Sequence, residues 1–228
     1  MCPPSQRGVS WHTLATILAM SRFVRSERRK LADLFSTVGP DAPTMCTGWV
    51  ARDLAAHLVI RERRPDASLG MFIPPLRSHA RNMLRSFASR PYPDLVELVR
   101  NPPLWSPVSN PLVEGMTNGL EFFVHHEDVR RAQAGWQPRD LPKEDQAALW
   151  KSASLIARLR LRKFPAALLV QAPGFGEVTT GAGGEPLRLV GAPGELAYFL
   201  SGRQRATRVQ IDGPPELADR LRTSPLKI

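Results

Sequence analysis

Apolar residues recur every three to four positions over much of the first 140 residues. They then give way to short strand-like runs separated by Gly and Pro. Phe23, Val24, Leu31, Leu34 and Phe35 fall on one side of a helix expected from near Ser21 to Thr37, and Gly39-Pro-Asp-Ala-Pro43 ends it. A second helix is expected over 50–63 with Leu54, Leu58 and Ile60 apolar, and a third over 76–89. A short one follows over 94–100, and a long one over 112–134 after a proline-rich crossing segment that holds Trp105. Four main helices, one broken connection and no strand signal up to residue 140 predict a helix bundle with a site in its core. Beyond Pro142 the pattern predicts a helix over 143–163 and strands over 167–171, 177–180, 187–190 and 207–211. Helices are expected over 194–200 and 215–222. Pro173-Gly174 and Gly181-Ala-Gly-Gly184 read as hairpin punctuation. The expected class is α+β, with residues 20–140 a helix bundle and 141–228 a small α+β unit.

Residues 1–19 stand apart. A breaker-rich start precedes an apolar run from Val9 to Met20 that is too short for a membrane span and a poor imitation of a signal peptide. Met20 opens a clean amphipathic helix, so the preceding residues are expected to be a disordered or mis-assigned extension.

Composition changes the picture little. At 228 residues the chain is long enough to bury a sizeable core, and 43% hydrophobic with 23% charged residues is ordinary for a globular protein. The net charge of +10, carried mostly by Arg, suggests anionic partners or simply a solvated basic face. Cys2 and Cys46 make no disulfide framework, so free thiols and a cytoplasmic location are expected. Arg158-Leu-Arg-Leu-Arg-Lys163 invites a nucleic-acid reading, but it lacks interleaved aromatics and any groove-reading motif.

Candidate chemistry centres on Gly119 to Ala132. Glu121 and His125 lie four residues apart and project from one helical face, where a carboxylate and an imidazole can share a divalent metal. Two ligands are too few for a protein site, and His57, on a separate helix among Ala55, Ala56, Leu58 and Val59, is the candidate third. Taken singly, each of these residues is as well explained by core packing or by a surface ion pair. Asp53, one turn before His57, is placed to fix that imidazole's tautomer, although a plain intrahelical contact fits the spacing equally. His126 points about 100° away from His125 and is a supporting or structural residue. Glu127, Asp128, Arg130 and Arg131 form an intrahelical ladder, or Asp128 reaches across to Arg52 or an Arg of 61–64. Cys46 is either a fourth ligand or an inert thiol, and His79 fits no pattern.

Read together, Trp49-Val-Ala-Arg-Asp-Leu-Ala-Ala-His57 and Glu121-x-x-x-His125 resemble the DinB-like metal-binding helix bundles. Within them the chain looks most like the mycothiol-dependent maleylpyruvate isomerase group. Gly191-Ala-Pro-Gly-Glu-Leu-Ala-Tyr-Phe-Leu-Ser-Gly-Arg203 and Arg208-Val-Gln-Ile211 resemble that group's C-terminal domain. Arg61-Glu-Arg-Arg-Pro-Asp66 and His125-His-Glu-Asp-Val-Arg-Arg-Ala132 resemble an actinobacterial subfamily of it, and the likeness spans roughly residues 20–215. The resemblance implies His57, Glu121 and His125 as ligands of a divalent metal, Zn²⁺ by expectation, with an open position for water or a thiol such as mycothiol. It implies Arg203 as a residue that helps with anionic groups. The Arg61–Asp66 segment and the proline-rich crossing differ from the isomerase, which leaves maleylpyruvate itself in doubt as substrate. The expected function is activation of a low-molecular-weight thiol or water for transfer or isomerisation on a small acidic or electrophilic substrate. The rival is a non-catalytic binding protein, either basic and nucleic-acid-associated or a small-ligand carrier, with a structural metal or none.

Overall fold

The computed structural model describes residues 11–68, 70, 73–103, 105, 106, 108, 109 and 114–226, with the backbone alone for 11–19 and 114–117. Its helices are α1 (Trp11–Val38), α2 (Ala51–Arg63), a single turn α3 (Pro65–Ser68), α4 (Arg77–Ala88), α5 (Tyr92–Arg100) and α6 (Glu114–Arg130). After them come α7 (Lys143–Arg160), β1 (Ala167–Ala172), β2 (Gly176–Thr180), β3 (Pro186–Val190), α8 (Pro193–Leu200), β4 (Gln210–Asp212) and α9 (Pro215–Thr223). The fold is α+β, and most element bounds lie within a few residues of those read from the pattern. The first helix differs: α1 already runs through 11–19, so that part of the expected extension is helical, while residues 1–10 lie outside the described residues. Among the described residues no helix is long and apolar enough to cross a membrane.

Two apolar cores form. In one, Val24, Leu31 and Phe35 of α1 meet Leu54 and Leu58 of α2, Leu95 and Val99 of α5, and Phe122 and Val129 of α6. In the other, Phe123 and Val124 of α6 meet Leu149 and Ala153 of α7, Leu168 and Val170 of β1, and Tyr198 and Phe199 of α8. Adjacent aromatic residues of α6 thus face different cores, and the helix is buried nearly all round from Asn118 to Val129. Polar side chains on such a helix must find partners inside, because burying them unpaired is costly.

The sheet runs β2-β1-β3-β4, with β1–β2 and β3–β4 antiparallel and β1–β3 parallel. Pro173-Gly174 does make the expected hairpin. The Gly181–Gly184 segment does not: it carries the chain past β1 so that β3 pairs on the far side. Gly181 has φ +97°, and a Cβ there would lie 2.0 Å from the Ala166 carbonyl oxygen, so only glycine fits this crossing.

A buried ionic cluster joins α1, α6 and the segment before α7. Arg139 donates to both oxygens of Glu27 at 2.8 Å, and His126 Nδ1 lies 2.9 Å from Glu27 Oε2. His126 therefore sits away from the His125 face, bonded to α1. Burial disfavours the charged form of Glu27, but the bonds from His126 and Arg139 prevail and hold its pKa at about 2 against an ordinary 4.5. A depressed carboxylate pKa contributes stability above pH 4.5 that disappears as the pH falls through the folded value. The difference corresponds to about 3 kcal/mol. Burial likewise lowers the pKa of His126, which adds to acid sensitivity in the same direction. Urea unfolding between pH 6 and pH 2.5 is expected to show a steep acid limb in the wild type and a shallower one in Glu27→Gln. Parallel limbs would contradict the assignment.

Candidate metal centre

α2 and α6 bring His57, Glu121 and His125 together. α2 begins after Val50, whose side chain offers no cap. Asp53 compensates, its Oδ2 accepting the Val50 N–H at 3.1 Å, and that is its role here rather than support of His57. A stable first turn lets α2 present His57 one turn later toward α6, with the Trp49 ring 5.2 Å from the imidazole. On α6, Glu121 and His125 are neighbours one helical turn apart. Glu121 Oε1 lies 3.2 Å from His57 Nε2 and 3.2 Å from His125 Nε2, and the two rings meet edge-on at 5.2 Å. One donor atom from each of the three residues lies within 4.8 Å of the others.

The arrangement fits a divalent cation. A tetrahedral ion with ligands at about 2.0–2.1 Å has ligand–ligand edges of about 3.3 Å, and two edges here measure 3.2 Å. Two imidazole nitrogens and a carboxylate oxygen are a donor set suited to Zn²⁺ and its neighbours. Burial keeps the pKa of His57 below its usual value despite the Glu121 bond, so a neutral imidazole, the form that binds a metal, is favoured. Burial also opposes charge on His125, but bonds to Asp128, Cys46 and Glu121 outweigh it and raise its pKa well above the usual value. Burial opposes charge on Glu121 too, yet the two imidazoles hold its pKa well below the carboxylate range. Metal-free, the pocket therefore favours a proton on His125, and a cation would displace it.

Asp128 underlies the cluster. It lies one further turn along the Glu121–His125 face and is fully buried. Its Oδ2 is 2.9 Å from His125 Nδ1, which directs Nε2 toward Glu121. Its Oδ1 accepts from Tyr198 Oη at 2.8 Å and Arg203 Nε at 3.0 Å, and Arg203 Nη2 donates to Oδ2 at 2.8 Å. Burial would raise the Asp128 pKa, but His125 and Arg203 hold it well below the usual range. The ladder and cross-link alternatives for Asp128 both give way. Arg52 donates to the Ala88 and Arg90 carbonyls, Arg64 pairs with Asp66, and Arg61 lies 3.5 Å from Glu121. The i, i+4, i+7 stripe Glu121–His125–Asp128 was present in the sequence, but the partners on α8 and the turn after it were not. Glu127 does pair with Arg130 and Arg131 along the helix.

Arg203 reaches this point because α8 ends at Leu200, Ser201 caps it and Gly202 turns the chain with φ +88°. Cys46 Sγ lies 3.2 Å from Asp128 Oδ2 and 3.9 Å from His125 Nδ1, on the far side of the ring from Glu121. Cys46, His125 and Asp128 also come within ligand distance of one another. A cation there would sit against the Arg203 guanidinium, 3.4 Å from Cys46 Sγ, so the His57–Glu121–His125 cluster is the better site. His79 lies apart, bonded to Asp66 at 2.8 Å.

No family model matches the chain, and no curated protein matches it in sequence. Two solved structures resemble it in fold. They are the mycothiol-dependent maleylpyruvate isomerase and a histidine-to-alanine mutant of that enzyme. Each aligns with a TM-score of 0.60 at 15% identity, over 90% of this chain and 96% of the other. At that identity the likeness establishes a common fold. It extends over most of both chains, helical and sheet parts alike.

Proposed function

We propose that the protein is a metal-dependent enzyme that activates a low-molecular-weight thiol of the mycothiol kind, or water, for transfer or isomerisation on a small acidic or electrophilic substrate. The observation that carries this reading is the His57–Glu121–His125 cluster, with 3.2 Å edges, opening onto cavities that Arg203 also lines. The fold supports it, because the similar structures are of a mycothiol-dependent isomerase. In this reading the helical part is a DinB-like bundle, residues 141–228 are its small α+β partner domain, and the enzyme is cytoplasmic.

His57, Glu121 and His125 would hold the cation, which when bound lowers the pKa of a thiol or water sharing its coordination sphere. The chain's other residues divide the remaining work. Asp128 keeps the proton on His125 Nδ1. Arg203, fixed by Asp128 yet lining the cavities, presents positive charge to an anionic substrate. Trp49 and Met45 give the cavity an apolar wall beside the cluster.

Protein purified from metal-replete medium is expected to carry about one divalent ion per chain and to be stabilised against heat by mycothiol but not by glutathione or cysteine. Absence of stoichiometric metal sinks the reading. Metal with equal responses to all thiols, or to none, removes the mycothiol part and leaves water as the activated group.

A further inference from the structure

Two cavities meet at the cluster, and they differ in character. One, of about 690 Å³, is lined by Cys46, Trp49, His57 and Arg61. The other, of about 630 Å³, runs along the C-terminal end of α7, with apolar walls from Leu120, Val124, Ile156 and Leu159. Glu121, His125 and Arg203 belong to both.

The α7 cavity holds more positive charge than its surroundings neutralise. Arg160, Arg162 and Lys163 line it, and among the described residues none of the three has a carboxylate partner. Glu121, the one acidic residue among those lining it, is engaged by both imidazoles. Arg160 is nevertheless held in place. Its Nη1 donates to the carbonyl oxygens of Leu200 and, at 2.9 Å, Leu226, and among the described residues Nε and Nη2 have no acceptor. Two carbonyls orient the guanidinium without cancelling its charge. Burial, together with the neighbouring Arg203, lowers the Arg160 pKa, as expected for like charges facing one space. Leu159 is 57% exposed beside this cluster, an apolar surface left open by the described residues.

We propose that the α7 cavity is a subsite for a small monocarboxylic acid with an apolar body. Its carboxylate is held by Arg160 with Arg162 and Lys163, and its body lies on Leu120, Val124, Ile156 and Leu159. The far end of such a molecule reaches the His125 end of the cavity, while the thiol enters from the Trp49 side. Only that last assignment rests on the function proposed above. A guanidinium with two free donors suits a carboxylate, and apolar walls beside it reward a hydrocarbon body over a hydrated polyanion.

The test is calorimetric titration of the full-length protein with hexanoate, hexanamide, acetate and inorganic phosphate. Hexanoate is expected to bind saturably, at least about tenfold more tightly than acetate or phosphate, with hexanamide showing no saturable heat. Arg160→Gln should weaken hexanoate by about tenfold. Because Arg160 also ties two carbonyls, the exposed pair Arg162→Gln/Lys163→Gln serves as a second variant and should weaken binding by at least about threefold. His57→Ala should bind hexanoate as the wild type does. Equal binding of hexanamide or phosphate, unchanged binding in the folded charge variants, loss of binding in His57→Ala, or no saturable hexanoate binding would each overturn the proposal. Arg160-dependent hexanoate binding to a protein that holds no metal would uphold this subsite while removing the enzymatic reading.

Discussion

His57→Ala is expected to leave the protein folded but unable to hold a divalent metal. His57 is the one member of the cluster that comes from α2; Glu121 and His125 share a single turn of α6. Without it, the two remaining groups must hold a cation from one side, with water in place of the third ligand. Losing a group that merely supports a ligand lowers metal affinity by about 10–100-fold, so losing a ligand should exceed the upper end of that range. Elemental analysis after desalting should fall from about one ion per chain to a small fraction of that. The fold should persist, because the His57 side chain borders an open cavity and α2 keeps its contacts through Leu54, Leu58 and Val59. His126→Ala is the matched control. It removes a buried imidazole from the same helix as His125, but one bonded to Glu27, so it should reduce stability and spare the metal. Stoichiometric metal in His57→Ala, or equal loss in His126→Ala, would show that the cluster is not the site.

Asp128→Asn is expected to weaken metal binding and stability together. The Asp128 carboxylate is fully buried and meets His125, Tyr198, Arg203 and Cys46. An amide keeps the shape but loses the charge, and it offers a donor where His125 Nδ1–H and Arg203 both require acceptors. Metal affinity, measured by chelator competition, should fall about 10–100-fold as the imidazole loses its fixed tautomer. Breaking a buried ion pair from one side typically costs 3–5 kcal/mol. Arg203 retains 24% exposure and can turn partly to water, so about 2–3 kcal/mol is the expected loss. Tyr198→Phe separates the two effects. It removes one hydrogen bond to Asp128 and leaves the charge, so stability should drop by about 1 kcal/mol with metal affinity nearly unchanged. Unaltered metal affinity in Asp128→Asn would detach Asp128 from the centre.

The cluster itself was legible because its two closest members obey helical spacing and the third sits in an apolar helix. His57, Glu121 and His125 do converge, and Arg203 lies beside them. Asp53 and His126 illustrate the limit of such reading. Spacing places Asp53 one turn before His57, yet a helix that starts at Val50 needs an acceptor for the Val50 N–H, and Asp53 supplies it. His126 is adjacent to His125 in sequence, but a step of about 100° carries it to the α1 side of the helix. Cys46, read as a ligand or an inert thiol, is a partly buried free thiol behind the His125 ring, against Asp128 and Arg203.

Local rules were enough to mark the elements, the α+β class and the Glu121–His125 pair, since periodicity, capping and turn chemistry act over a few residues. Contacts between distant segments were decided by packing alone. The parallel pairing of β1 with β3 sends the Gly181–Gly184 link across the sheet rather than around a hairpin. Tyr198 and Arg203 lie 70 and 75 residues from Asp128 in sequence and meet it only because α8 packs against α6. Burying α6 nearly all round obliged its inward charges to find partners, and which partner each found depended on which core its face entered. The pair Glu121–His125 was therefore written into one helical turn and His57 was readable as a candidate partner, whereas the convergence of the three, the Asp128 carboxylate behind them and the two cavities that open on them exist only in the folded chain.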